Sequence, residues 1–266
     1  MSDPSSPILI LSGAGGGVEP AFSRSSAPEA PRFEAIIYPG WRRYAEIGFS
    51  VEDLVEDLAA QIAERTREGP IRLIGMSLGA HLGYAAALKL QASGRQIGGF
   101  CALDPFVTSS ASPTAGWKAR ALKAGAVLLR DRRLDEFGRF LRSRFWRALL
   151  RSAGGQLTEA VRRIAPSRRL PWILATDPIF EQELSMLLLI QAVNPWTASL
   201  DRLPVALKAP AVLLRTSSNV SADSIWQRRC PGIRIVEIPG DHDALSRPEA
   251  VGWLRETFVA VTREWR

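Results

Sequence analysis

Short β-branched or aliphatic runs recur along the chain, at Ile8 to Leu11, Phe33 to Tyr38, Ile71 to Met76, Gly99 to Leu103, Ala211 to Arg215 and Ile233 to Ile238. Brief apolar runs of this kind are the pattern of strands buried on both faces of a parallel sheet. Between them the apolar spacing becomes helical. Val51, Leu54, Val55, Leu58 and Ile62 form one stripe, with Ser50 as N-cap, Asp53 three residues on, and Gly69-Pro70 as terminator. A second helix is predicted from Leu78 to Gln91, stopping at Gly94. A last one has Pro248 in its first turn and continues through Trp253, Leu254 and Phe258. Strand alternating with helix specifies the α/β class, a mostly parallel central sheet flanked by helices.

The alternation lapses between Thr108 and Leu207, where helical spacing takes over. Phe137, Phe140, Leu141, Phe145 and Leu149 mark one helix, expected to face a core. Ile179 to Val193 mark another, expected to end at Asn194-Pro195. The stretch Thr108 to Thr114 has the Ser/Thr/Pro composition of a loop or hinge. The expected organisation is a first core segment over 1–107, a helical lid inserted over 108–207, and a second core segment over 208–266.

Composition narrows the class. With 46% apolar and 23% charged residues among 266, the chain is neither disordered nor collagen-like. Apolar stretches such as Leu187 to Ile190 fall far short of the roughly 20 residues that span a membrane. No basic residue precedes the short run at Ile8, so no signal peptide is expected and the protein is read as cytoplasmic. Cys101 and Cys230 form no disulfide framework and have no nearby ligand partner for zinc, which makes them packing residues. The formal charge of +7 is concentrated: residues 117–170 hold fifteen basic and four acidic side chains, net +11, which leaves −4 elsewhere.

The chemistry centres on Gly75-Met-Ser77-Leu-Gly79, which lies between a predicted strand and a predicted helix. G-x-S-x-G in that context is a nucleophile elbow, and its glycines admit the close backbone approach of so tight a turn. The alternative is an ordinary glycine-containing turn with an unremarkable serine. A serine nucleophile needs a base. Of the two histidines, His81 lies on the elbow helix, leading away from the sheet edge, and reads as a packing or hydrogen-bonding residue. His242, in Pro239-Gly-Asp-His-Asp243, follows the last strand and opens at the same edge as Ser77, as a general base would. The imidazole needs an acid to orient it. Asp104 follows its strand directly and is the better fixed candidate; Asp223, in the loop after Ala211 to Arg215, is the alternative, while Asp241 and Asp243 flank the histidine too closely. An oxyanion requires two N–H donors, here Leu78, next to the nucleophile, and Ala14, with Gly13 next in order, from the glycine-rich loop Leu11 to Gly17. That loop lacks the G-x-G-x-x-G spacing of dinucleotide binding. No metal or cofactor is called for.

Taken together, these motifs resemble the α/β-hydrolase superfamily and, within it, the thioesterase domains of non-ribosomal peptide and polyketide synthases. Ser12-Gly-Ala-Gly-Gly16 is similar to that family's oxyanion loop, Gly-Met-Ser-Leu-Gly to its elbow, and Leu103-Asp-Pro105 to its acid, one strand earlier than in most hydrolases. The helical lid after the acid, Trp226, Cys230-Pro-Gly and Ile238-Pro-Gly-Asp-His-Asp-Ala-Leu are likewise similar. His81 departs from the apolar or small residue usual there. Because the chain starts with its own Met1 and ends soon after the last helix, it is expected to be free-standing.

The resemblance implies a carrier-protein phosphopantetheine thioester as substrate and an acyl-serine intermediate, resolved by hydrolysis, by cyclisation or by an external acceptor. Carrier proteins are generally acidic, so a basic lid would favour their encounter. A solvated helical face is the other reading of that segment, and no nucleic-acid motif accompanies it. Trp117, Phe140, Phe145 and Trp146 are expected in the lid core. The rival functions are an esterase, lipase or acyltransferase on free small esters or thioesters, and a silent ligand-binding module.

Overall fold

A computed structural model describes residues 6–14, 31–105, 117–164, 177–242, 244–246 and 250–265. Within them lies one six-stranded, all-parallel sheet in the order β2-β1-β3-β4-β5-β6. The strands are β1 (Ile8–Leu11), β2 (Phe33–Ala35), β3 (Ile71–Met76), β4 (Ile97–Leu103), β5 (Ala211–Thr216) and β6 (Arg234–Ile238). Every residue of β1 and β4 is buried, as an interior parallel strand requires. Among the helices, α1 spans Trp41–Tyr44, α2 Val51–Arg65, α3 Leu78–Ala92, α4 Trp117–Arg130, α5 Leu134–Ser152, α6 Leu157–Ile164, α7 Pro178–Leu200, α8 Ala222–Arg229 and α9 Ala250–Thr262.

The stripe of α2 is buried at all five predicted positions, and the Asp53 N–H donates to Ser50 Oγ at 3.0 Å as the N-cap. In α9, Leu254 and Phe258 join Ile10, Ile74, Leu103 and Leu214 in one core; Pro248 lies outside the described residues. The chain leaves β1 for β2 on one side and returns to β3 on the other, so the topological switch point falls between β1 and β3. Open α/β sheets bind ligands at the carboxyl ends of strands beside such a point.

Two strand boundaries moved by two residues or more, while the end of β5 and the start of β6 shifted by one. β2 stops at Ala35 rather than Tyr38 because its neighbour β1 ends at Leu11; the Ile36 N–H makes one more bond to Ile10, and Ile37 is exposed. β4 starts at Ile97, two residues early. Gly98 and Gly99 carry no apolar side chain to signal a strand, and Gly99 is needed bare because the Trp265 indole occupies the space of a Cβ.

The chain divides into two compact units. The first, Met1–Tyr38, Ser50–Val107 and Val193–Arg266, carries the sheet. The second, Pro39–Phe49 and Thr108–Ala192, is helical. It thus includes the segment 39–49 and closes earlier than the expected lid boundary at 207. Residues 39–49 group there through specific bonds: the Trp41 N–H donates to Ser185 Oγ at 3.0 Å, and Arg162 donates to the carbonyls of Ala45 and Glu46 at 2.9 and 2.6 Å. The expected hinge Thr108 to Thr114 lies outside the described residues.

Two helix expectations are corrected. α7 does not end at Asn194-Pro195 but continues to Leu200, since Val193, Thr197 and Leu200 are buried on both sides of the proline and that burial outweighs one missing N–H. On α5, Leu141, Phe145 and Leu149 are exposed rather than core-facing. The helix is turned by polar anchors on α7 and just before it. Arg147 makes a bidentate pair with buried Glu183 at 2.7 Å, Ser143 donates to the same carboxylate, and Trp146 Nε1 donates to Asp177. Trp146 also packs edge-on against Phe180, Phe140 is half-buried, and the Trp117 side chain lies outside the described residues.

Candidate active site

Ser77 links β3 to α3 and has φ 52° and ψ −118°, a strained conformation that only a tightly determined turn can hold. The determinants are local. The Ser77 N–H donates to the Leu103 carbonyl at 2.8 Å, and the Ala80 N–H to the Ser77 carbonyl at 3.1 Å. A Cβ on Gly75 would lie 2.6 Å from the Gly79 carbonyl oxygen and overlap Ala80, while one on Gly79 would collide with the carbonyls of Leu11 and Ser12. Both elbow glycines are therefore required sterically, and the second brings the loop after β1 against the elbow.

The structure brings Ser77, His242 and Asp104 together. Ser77 Oγ is 3.0 Å from His242 Nε2, and His242 Nδ1 is 2.6 Å from Asp104 Oδ2. Since a carboxylate only accepts, Nδ1 is the donor and Nε2 is free to accept from the serine hydroxyl. His242 stands in the turn after β6, where Gly240 has φ 92° and Asp241 Oδ1 accepts the Ala244 N–H at 2.8 Å. Its side chain is 47% exposed, so a substrate can reach it.

Asp104, by contrast, is 1% exposed. It sits at the end of β4, held by its own N–H to the Leu214 carbonyl at 2.7 Å. Oδ1 accepts from Thr216 N at 2.9 Å, Thr216 Oγ1 at 3.0 Å and Asn219 Nδ2 at 3.1 Å. Burial pushes its carboxyl pKa up. The hydrogen bonds from His242, the Thr216 backbone and Asn219, with the electrostatic attraction of the His242 ring, outweigh this and hold it below the usual carboxylate range.

The alternatives are placed elsewhere. Asp223 accepts from Arg215 Nε at 2.8 Å, and Arg215 also pairs with Glu237. His81 is buried on Trp226, with Nδ1 2.7 Å from Arg229 Nη1. Because a guanidinium can only donate, that nitrogen is an unprotonated acceptor. Cys101 and Cys230 are buried free thiols pushed up by burial, Cys230 to about 12, so neither is a nucleophile.

Near the nucleophile, Leu78 opens α3, and a Cβ on Gly13 would lie 3.4 Å from that of Ser77, which puts the Gly13-Ala14 loop beside the elbow. Gly15 to Gly17 and Asp243 lie outside the described residues. Tyr38 Oη donates to the Ser12 carbonyl at 2.8 Å and ties that loop to the sheet edge. Tyr38, Thr216 and Asn219 were not singled out from the sequence. Thr216 carries the one available signal, a polar β-branched residue closing a strand; the other two are recognisable only once the strands are aligned. Among the described residues no cluster of His, Cys, Asp and Glu could hold a metal ion, and no helix is long and apolar enough to cross a membrane.

The sequence matches the family model described as Thioesterase domain over residues 7–252. No curated protein matches it. Among solved structures, the NocB thioesterase domain, in covalent complex with a fluorophosphonate nocardicin G analogue, is similar at TM-score 0.59 and 16% identity, covering 96% of this chain and 94% of that one. The RedJ thioesterase of the prodiginine pathway in Streptomyces coelicolor is similar at 0.56 and 16%, covering 97% and 92%. The chain also matches 19% of the length of a four-domain nonribosomal peptide synthetase, holo-AB3403, at 0.58 and 19% identity, with 97% of this chain covered. At these identities the likeness is one of fold.

Proposed function

The chain belongs to the Thioesterase domain family, and from that premise we propose that it is a serine thioesterase that releases an acyl or peptidyl chain from the phosphopantetheine arm of a carrier protein. The observation that carries this reading is the unbroken hydrogen-bonded chain from Ser77 through His242 to Asp104. Ser77 Oγ attacks the thioester carbonyl as His242 Nε2 takes its proton. Asp104 keeps the proton on Nδ1 and stabilises the imidazolium. The N–H groups of Leu78 and Ala14 donate to the tetrahedral oxyanion. Collapse breaks the C–S bond, His242 returns the proton to the leaving thiolate, and the acyl group stays on Ser77. Water or an internal nucleophile, deprotonated by His242, then attacks the acyl-serine and restores the hydroxyl. That the similar NocB domain was captured in covalent complex with a fluorophosphonate supports a covalent route.

The partner is proposed to be acidic. Arg139 and Arg151 are exposed on α5, the helix that also presents Leu141, Phe145 and Leu149, within the strongly basic stretch 117–170. The test is turnover, by intact mass spectrometry, of one acyl group offered on a phosphopantetheinylated carrier, as a simple thioester and as an oxoester, with Ser77→Ala as control. Faster Ser77-dependent release from the carrier supports the proposal. Equal or better turnover of the oxoester overturns it in favour of an esterase.

A further inference from the structure

Asn219 closes the short turn after β5, and its side-chain amide makes two hydrogen bonds. Nδ2 donates to Asp104 Oδ1 at 3.1 Å and to the Pro105 carbonyl oxygen at 2.9 Å. Both partners can only accept, so the amide nitrogen and not its oxygen must face them. They also lie on either side of a strained position: Asp104 has φ 40°, in the left-handed region that disfavours a side chain. One planar amide thus ties the carboxylate of Asp104 to the backbone that follows it.

The carboxylate needs such a tie. Its terminal torsion is soft and roughly two-fold, so nothing intrinsic to an aspartate keeps one oxygen aimed at an imidazole. Of the donors on Oδ1, the Thr216 hydroxyl also lies 3.0 Å from Ser218 Oγ, which gives its proton a second destination. The Asn219 amide has its other N–H engaged by Pro105 and offers the first to Asp104. We infer that Asn219 is a positioning residue that holds the Asp104 carboxylate in the orientation aligning Oδ2 with His242 Nδ1. The inference rests on the reading of Ser77, His242 and Asp104 as a catalytic triad.

It is tested on the full chain by the rate at which a fluorophosphonate labels Ser77 in the wild type, Asn219→Ala and Asn219→Asp. The downfield NMR resonance of the proton between His242 and Asp104 is followed in parallel. Asn219→Asp keeps the shape, removes both donors and adds a like charge. Loss of one charge-assisted hydrogen bond predicts labelling slowed about tenfold in Asn219→Ala, and like-charge repulsion about a hundredfold in Asn219→Asp, with the resonance lost or shifted in both. A role confined to loop packing would lower the melting temperature and leave the resonance in place, which overturns the inference. So would labelling within about twofold of the wild type in both variants, and that result leaves the triad reading intact. A wild type that is not labelled overturns the triad reading and the inference with it. Should Asn219→Asp not fold, Asn219→Ala decides alone.

Discussion

Burial alone would raise the Asp104 carboxyl, and the hydrogen bonds from His242, the Thr216 backbone and Asn219, with the attraction of the His242 ring, reverse that, so the residue is stabilised as an anion in the folded state. The consequence for stability has a definite sign. A carboxyl whose folded pKa is depressed contributes stability above its unfolded value of about 3.9 and loses it as the pH falls through the folded value. The advantage of the wild type over Asp104→Asn in urea unfolding should therefore be full at about pH 6 and shrink below about pH 4; an advantage unchanged down to about pH 2 would contradict the assignment. The same substitution keeps the shape but offers an amide that can hold the wrong imidazole tautomer, so thioester turnover should fall on the order of a thousandfold or more. At this scale the candidate site was legible because histidine is scarce: two are present, and His81 lies on the elbow helix, its ring against Trp226 and its Nδ1 beside Arg229. Asn219 was not legible, because a polar loop residue gains meaning only when β4 and β5 are side by side.

Among the elements, the β3 to α3 elbow and the N-cap of α2 make opposite predictions. A Cβ at Gly75 meets backbone that cannot step aside, so Gly75→Ala should cost about 2 kcal/mol or more in denaturant midpoint and abolish fluorophosphonate labelling of Ser77. Ser50→Ala removes only the side-chain acceptor for the Asp53 N–H. It should cost about 1 kcal/mol and leave thioester turnover within error of the wild type. Elements buried on a regular face were readable from their spacing, as α2 and β3 show. Those whose ends are set by partners were not. β2 ends where β1 stops pairing, and β4 begins at glycines without side chains. α7 passes its proline because residues on the far side are buried, and α5 is rotated by Glu183 and Asp177, which no periodicity along α5 itself could announce.

For the whole molecule, the uneven charge is the property that separates a carrier-dependent enzyme from one acting on free esters. Some of the basic side chains are neutralised at home: Arg142 pairs with Asp177 and Arg147 with Glu183, so they build the second unit and are not available to steer a partner. Arg139 and Arg151 are exposed on α5, whose acidic residues, Asp135 and Glu136, both stand in its first turn, with Glu136 paired to Arg133. Long-range attraction between such a surface and an acidic carrier decays with the Debye length, about 10 Å at 0.1 M salt, whereas the chemistry at Ser77 lies behind short hydrogen bonds that salt barely screens. Raising salt from about 50 to about 200 mM should therefore lower kcat/KM several-fold for a carrier-bound acyl group and leave a simple thioester unaffected. Arg139→Glu with Arg151→Glu should reproduce that loss at low salt and flatten the salt dependence. If both substrates respond alike, the basic stretch is a solvated surface, and any preference for a carrier must come from contacts nearer the nucleophile.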